Sequence, residues 1–267
     1  MAAQSWFVPP WVERGLEDPD SISESNSAAT SYPHWQLDSS SAPLTDDAIL
    51  EPLQEQFGQI RSKARVRDLA EVFTNKREID AMLSSVLPAF SYLDAKFLEP
   101  SAGNGNFLVE ILARKLDLAT RKNSKSQEHY EHRLLRAIAS IYAVDISLEN
   151  VSEARTRMAH ALVSHFNADA PRVRPTRAFL NAAALILGDN IVLGDSLTRA
   201  EEIELCEWVP AAGAKFLRIW SPALVAPENR DLFWAERVQD KDPIHYSGLV
   251  SKDHKHEIQV LKTGVAK

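Results

Sequence analysis

The chain has 267 residues, of which 45% are hydrophobic and 25% charged, and its formal net charge is -7 at pH 7. These proportions are typical of globular proteins, and they argue against a fully disordered chain or a collagen-like repeat; no apolar run is long enough to span a bilayer. The single cysteine, Cys206, excludes an internal disulfide. Because the amino terminus also lacks a secretory signal pattern, we expect a cytoplasmic protein without membrane association.

Composition divides the chain into three parts. Residues 1–43 contain a stretch rich in Ser, Asn, Asp and Pro without apolar periodicity, which is typical of a mobile arm or linker. Residues 44–230 carry helical and strand patterns and form the predicted main domain. Residues 231–267 form a carboxy-terminal extension in which Ile258–Leu261 has a strand pattern.

Helical and strand patterns alternate along the main domain. Apolar residues at intervals of three and four predict helices around Ile79–Val86, Phe107–Leu116 and Leu134–Ile138. Ser147 is the expected N-cap of a further helix, whose apolar face contains Val151, Ala154, Met158, Leu162 and Phe166. The predicted strands are Lys96–Glu99, Ile141–Asp145, Asn190–Asp195 and Lys215–Trp220. This alternation predicts an α/β fold, with a mostly parallel sheet covered by helices on both faces.

The turn after the first predicted strand is a candidate ligand site, because ligands of open α/β sheets bind beyond the carboxyl ends of the strands. We expect Gly103 and Gly105 to let the backbone approach a ligand that a side chain would block. The carboxylate of Asp145 can accept hydrogen bonds from both ribose hydroxyls of a nucleoside cofactor. The carboxylate of Asp195 can accept one from the exocyclic amine of its adenine.

Two common nucleotide sites do not fit this turn. A dinucleotide site requires a third glycine where the sequence has Val109, and a phosphate-binding P-loop requires Gly-Lys-Ser/Thr after the turn. The turn therefore favours a different nucleoside cofactor.

Residues 99–108, Glu-Pro-Ser-Ala-Gly-Asn-Gly-Asn-Phe-Leu, resemble motif I of the amino-group-specific DNA methyltransferases, including the modification subunits of restriction systems. Ala70–Asn75 is similar to motif X, with Asn75 in the place of the family's proline. Val144-Asp145-Ile146 and Leu193-Gly194-Asp195-Ser196 resemble motifs II and III. The resemblance covers residues 65–197, about half of the chain.

The resemblance implies a Rossmann-like methyltransferase fold that binds S-adenosylmethionine and needs no metal. It implies methylation of adenine N6 in DNA, with DNA and other restriction-modification subunits as partners. The cofactor-binding residues that it implies are Thr74, Glu99, Pro100, Ser101, Ala102, Gly103, Gly105, Asn106, Phe107, Asp145, Ile146 and Asp195.

The catalytic motif of this family follows the fourth strand and reads Asp, Asn or Ser, then Pro-Pro and an aromatic residue. Its acceptors bind the target amino group, and its ring stacks on a flipped-out base. Here residues 221–224 read Ser-Pro-Ala-Leu, so Ser221 and Pro222 are the candidate catalytic residues, but the second proline and the ring are missing. Two alternatives therefore stay open: a catalytically inactive subunit that binds cofactor or partners in a restriction or anti-phage assembly, and methylation of RNA or a small molecule.

Three short basic stretches, at residues 61–67, 121–125 and 172–177, are candidate nucleic-acid contacts. Solvated loop or helix surface is the alternative interpretation of each stretch. We expect Cys206 to be a packed side chain rather than a reactive one. Trp208, Trp220 and Trp234 are expected to pack a carboxy-terminal subdomain, and a role for one of them in lining a base pocket is the alternative.

Overall fold

The computed structural model describes residues 76–121, 124–222, 237–249 and 258–261. The first part alternates helices and strands: α1 (Lys76–Ser84), β1 (Phe97–Glu99), α2 (Asn106–Thr120), α3 (Gln127–Ala139), β2 (Ile141–Asp145), α4 (Leu148–Asp169), α5 (Arg177–Asn190) and β3 (Ile191–Leu193). The later described residues form β4 (Glu204–Ala211), β5 (Lys215–Pro222), β6 (Arg237–Asp240), β7 (Ile244–His245) and β8 (Ile258–Leu261). Short 3-10 turns lie at Leu87–Ser91, Ala200–Glu202 and Tyr246–Gly248.

The first three strands form a parallel sheet in the order β1-β2-β3, with Phe97 opposite Ile141 and Val144 opposite Val192. Helices α2 and α4 pack together, as do α3 and α5, and both pairs contact β2. All five residues of β2 are buried, and successive strand residues point to opposite faces, so both faces of this strand are covered. The predicted α/β fold with parallel pairing of these three strands is confirmed.

Short polar side chains begin three of the helices. Ser126, Ser147 and Thr176 each accept a hydrogen bond from the backbone N–H three residues later, which satisfies one of the free donors at a helix start. The predicted cap at Ser147 is therefore confirmed. Helix α2 instead begins after Gly105, whose φ is 87°.

The fourth predicted strand is present, but it does not extend the parallel sheet. Lys215–Trp220 lies in β5 as a strand, but β5 runs antiparallel to β4, with Ala211 opposite Lys215 and Glu204 opposite Pro222. The chain reverses between the two strands at Gly213 and Ala214, whose φ angles are 74° and 56°. The result is a β-hairpin, which belongs to a second sheet.

Strands from the predicted carboxy-terminal extension complete this second sheet. Its order is β4-β5-β6-β8, and β7 also pairs with β5; all of these pairings are antiparallel. The predicted strand at Ile258–Leu261 is confirmed as β8. The predicted arm at residues 1–43 and both predicted domain boundaries lie outside the described residues.

The two sheets share one hydrophobic core, to which Cys206, Trp208, Phe216 and Trp220 of the second sheet contribute. The indole Nε1 of Trp208 donates to Oδ1 of Asn190, at the end of α5, over 3.0 Å. Burial raises the pKa of the Cys206 thiol well above its usual value, so this thiol is a packing group. The predicted packing of Cys206 is confirmed, and Trp208 and Trp220 are packed as well, but in the core that both sheets share. Trp234 lies outside the described residues. None of the helices in the described ranges is long and apolar enough to cross a membrane.

Candidate cofactor site

The loop of residues 100–105 leaves the carboxyl end of β1 and leads into α2, and it is fixed to the neighbouring strand. The amide of Ala102 donates to the carbonyl oxygen of Val144 in β2 over 3.0 Å. The amide of Gly105 then donates to the carbonyl oxygen of Ala102, also over 3.0 Å. These bonds give the predicted cofactor loop a defined backbone path at the edge of the parallel sheet.

The two glycines of the loop have different surroundings. A Cβ atom at Gly105 would lie 3.1 Å from Cβ of Ala154, so the missing side chain lets α2 approach α4. A Cβ atom at Gly103 would meet nothing within 4 Å, although its φ of 52° also favours glycine. Gly103 therefore borders open space, whereas Gly105 serves packing inside the protein.

Asp145, the last residue of β2, joins the loop to helix α4. Its Oδ2 accepts a hydrogen bond from the Gly103 amide over 2.7 Å. Its Oδ1 accepts from the Ser147 amide over 2.8 Å and from Nδ2 of Asn150 over 3.2 Å. A carboxylate accepts about four hydrogen bonds, so Oδ2 retains one acceptor position. The structure thus brings Asp145 beside Gly103, where it also supports the loop.

The loop after β3 contacts the loop after β1. The Ser196 hydroxyl donates to the carbonyl oxygen of Pro100 over 2.6 Å. Asp195 precedes it, and its carboxylate accepts hydrogen bonds from the amides of Leu197 and Thr198, each over 2.9 Å, and from the Thr198 hydroxyl. These bonds from Thr198 and Leu197 lower the pKa of Asp195. The segments that resemble motifs I and III therefore meet at one edge.

Apolar side chains are exposed at this edge of the sheet. Ile146 is 70% exposed, Leu193 52% and Leu197 93%. Leu193 lies opposite Asp145 in the strand register, and Ile146 follows Asp145 in the chain. Exposed aliphatic side chains grouped beside carboxylates form an environment suited to a flat apolar ring with polar edges.

Glu99 is the last residue of β1 and is partly buried. Its Oε1 accepts a hydrogen bond from the amide of Ser101 over 3.2 Å. Burial raises the pKa of Glu99 above its usual value, and the bond from Ser101 opposes that change. Asn106 and Phe107 begin α2, and Phe107 packs against the hydrophobic core. Thr74 lies outside the described residues.

Two side chains of α4 that no sequence pattern singled out also hold the loop. Arg157 donates from Nη1 to the carbonyl oxygen of Asn104 over 2.7 Å, and Nδ2 of Asn104 donates to Oε1 of Glu153 over 3.3 Å. Glu153 and Arg157 are four residues apart, so they lie on the same face of the helix. The four-residue spacing of Glu153 and Arg157 was the available sequence signal for this role. It does not distinguish them, because charged pairs at this spacing are common on exposed helices.

The candidate catalytic residues end strand β5 instead of following it in a loop. Ser221 lies opposite Leu205, and Pro222 lies opposite Glu204. Ile203, just before β4, packs over Gly194, where an added Cβ atom would lie 2.7 Å from Cγ1 of Ile203. This end of the hairpin is therefore near the loop that carries Asp195.

Comparison of the chain with protein-family models found no matching family. Comparisons with curated proteins and with solved structures also found no match.

Proposed function

We propose that the chain is an S-adenosylmethionine-dependent DNA methyltransferase of a restriction-modification system, with a Rossmann-like domain, and that its target is N6 of adenine. The observation that carries the proposal is the convergence of three loops at one sheet edge. Gly103 is bonded to Asp145, and Ser196 is bonded to Pro100. These residues belong to the segments that resemble motifs I, II and III, which are separated in the sequence.

The residues at this edge fit a nucleoside cofactor. The open space at Gly103 allows close approach to the backbone, and the remaining acceptor position on Oδ2 of Asp145 suits a ribose hydroxyl. The exposed side chains of Ile146 and Leu193 suit the faces of an adenine ring, and Asp195 supplies a carboxylate for its amino group. When bound, S-adenosylmethionine supplies an electrophilic methyl group.

We assign to Ser221 the binding of the target amino group, which is the methyl acceptor. Its hydroxyl can accept a hydrogen bond from the amino group of the target base, which holds that nitrogen in position. The enzyme's contribution is then positioning and electrostatic stabilisation.

A specific observation favours the second candidate, a methyltransferase-like subunit without activity of its own. Ser221 and Pro222 lie within the antiparallel ladder with β4, and residues 223 and 224 provide neither the second proline nor the aromatic ring. Such a subunit would bind the cofactor or partner proteins in a restriction or anti-phage assembly.

A radiolabelled methyl-transfer assay on unmethylated DNA distinguishes the two candidates. For the active enzyme we expect transfer by the wild type, a loss of roughly 100-fold in Ser221→Ala, and wild-type transfer in Ser164→Ala, a control on an exposed face of α4. Full activity of Ser221→Ala would remove Ser221 from the mechanism. A wild type that binds the cofactor but transfers no methyl group to DNA would favour the inactive subunit.

A further inference from the structure

Two loops lie at the end of the molecule opposite the candidate cofactor site. Helix α4 starts beside Asp145, and its 22 residues extend over about 33 Å before the loop of residues 170–176. Residue 121 and residues 124–126, which lie between α2 and α3, adjoin it. Both loops are therefore roughly 30 Å away from Asp145.

Hydrogen bonds join the start of α3, directly after residues 124–126, to the loop of residues 170–176. Nε2 of Gln127 donates to the carbonyl oxygen of Arg174 over 2.6 Å. The carboxylate of Glu131 accepts from the amide of Thr176 over 2.8 Å and from its hydroxyl over 2.7 Å. Two basic stretches that are separate in the sequence thus share one surface.

The two sequence stretches at this surface are basic, although the net charge of the whole chain is -7. Residues 121–127 contain three basic residues and no acidic one, and so do residues 170–178. We define the distal basic surface by its described cationic residues, which are Arg121, Lys125, Arg172, Arg174 and Arg177. Of these, Arg121, Lys125, Arg172 and Arg177 are exposed.

Most acidic side chains near this surface have other partners. Glu131 is buried and also accepts from the Tyr246 hydroxyl over 2.7 Å. Asp169 accepts from the Tyr130 hydroxyl over 2.8 Å, and Glu128 contacts Nε2 of His245 at 3.0 Å. Asp117, near the end of α2, is exposed. Among the described residues, no acidic side chain forms an ion pair with Arg172 or Arg177, and both arginines are exposed.

We propose that the distal basic surface binds the phosphate backbone of duplex DNA; the choice of DNA among phosphate polymers rests on the proposed function. Arginine and lysine side chains on loops neutralise phosphates without regard to sequence. The centres of protein-protein interfaces are instead enriched in large apolar and aromatic side chains. The exposed large hydrophobic residues of the described chain all lie elsewhere. One group lies between Met82 and Leu98; the others lie between Ile146 and Leu197, and none of them is within residues 165–180. Phosphate is therefore the chemistry that this surface fits.

The distal basic surface is separate from the candidate cofactor site. We therefore expect DNA binding at this surface not to depend on S-adenosylmethionine. The test is fluorescence anisotropy of the full chain with a labelled 30-base-pair duplex, without cofactor, over a range of salt concentrations. The variant is Arg172→Gln/Arg177→Gln, and the charge-matched control is Arg77→Gln/Lys241→Gln, two exposed cations outside this surface. Thermal unfolding checks that each variant folds.

We expect the Arg172→Gln/Arg177→Gln variant to bind at least about tenfold more weakly at 0.1 M salt. The slope of the logarithm of the binding constant against the logarithm of the salt concentration should become less steep by about 1.8, because the variant loses two phosphate contacts that contribute about 0.9 each. The control should bind as the wild type does. Equal DNA binding by the variant and its control would overturn the proposal. The proposal would also be overturned if sodium polyglutamate displaced the labelled DNA as effectively as unlabelled duplex does, because the surface would then fit an acidic protein as its partner. Either result leaves cofactor binding, which is measured separately, unaffected.

Discussion

Gly103 donates its backbone amide to the carboxylate of Asp145 over 2.7 Å, and this bond joins the glycine loop to the end of β2. Since Asp145 also accepts from Ser147 and Asn150, one buried side chain fixes the loop, the strand and the start of α4. A residue that the sequence assigned to ligand binding therefore also maintains the shape of the site.

Replacing this side chain tests both roles. Asp145→Ala leaves the amides of Gly103 and Ser147 without their acceptor, so we expect the free energy of unfolding to fall by about 2 kcal/mol or more. Urea denaturation measures this change, and Asp117→Ala, at an exposed position, is the control. Unchanged stability of Asp145→Ala would contradict the supporting role.

The two glycines of the loop should respond differently to alanine. Gly105→Ala forces a Cβ atom against Ala154 at a positive φ, so we expect a loss of about 2 kcal/mol or more of stability. Gly103→Ala meets open space, so only backbone strain of about 1 kcal/mol is expected. Urea denaturation compares the two variants, and equal losses would contradict the distinction between them.

Buried Lys115 makes stability depend on pH. Its ammonium group donates to the carbonyl oxygens of Leu93 and Ala95 over 2.7 and 2.6 Å, and burial lowers its pKa to about 7 while Asp94 opposes that change. The unfolded chain, with the ordinary pKa of 10.5, binds more protons above pH 7, so this group makes stability rise with pH.

We expect Lys115 to raise the free energy of unfolding by an amount that approaches about 1.4 kcal/mol per pH unit between about pH 7 and 9. Urea denaturation of the wild type and of Lys115→Met across that range isolates it. The Lys115→Met variant should show a flatter pH dependence, and parallel curves would contradict the lowered pKa.

Thr198 should control the ionisation of Asp195. Its hydroxyl and amide are the largest causes of the lowered pKa, so Thr198→Val, which loses the hydroxyl, should raise the Asp195 pKa toward 3.8. The folded pKa lies below the unfolded value. The stabilisation is therefore present above about pH 3.8 and is lost as pH falls through the folded pKa. An NMR titration of the Asp195 carboxyl carbon measures the change, and an unaltered pKa would rule out this role of the hydroxyl.

Local sequence patterns predicted the elements whose signals are local. The face of α4 that contains Val151, Ala154 and Met158 is buried as its periodicity indicated, and Ser147 caps this helix. Helix α5 was missed because it is buried on nearly all sides, including the run Ala182–Leu187, so it lacks an amphipathic period.

Features that depend on contacts between residues far apart in the sequence could not be predicted from local sequence patterns. The strand pattern of β5 indicated a strand but not its partner, which is set by the reversal at Gly213 and Ala214. Strand β4 was not predicted. The bond between Ser196 and Pro100 joins residues 96 positions apart, and no local pattern announces it. The sequence therefore named candidate residues for the site, and the structure added the contacts that bring their loops together.

Isothermal titration of the full chain with S-adenosylmethionine tests the central claim most directly. We expect saturable binding at one site by the wild type, and weaker binding by Gly103→Ala, in which a methyl group occupies the open space beside the loop. The control Ser164→Ala should bind as the wild type does. Absence of binding to a wild type that unfolds cooperatively would contradict the account of this loop as a cofactor site.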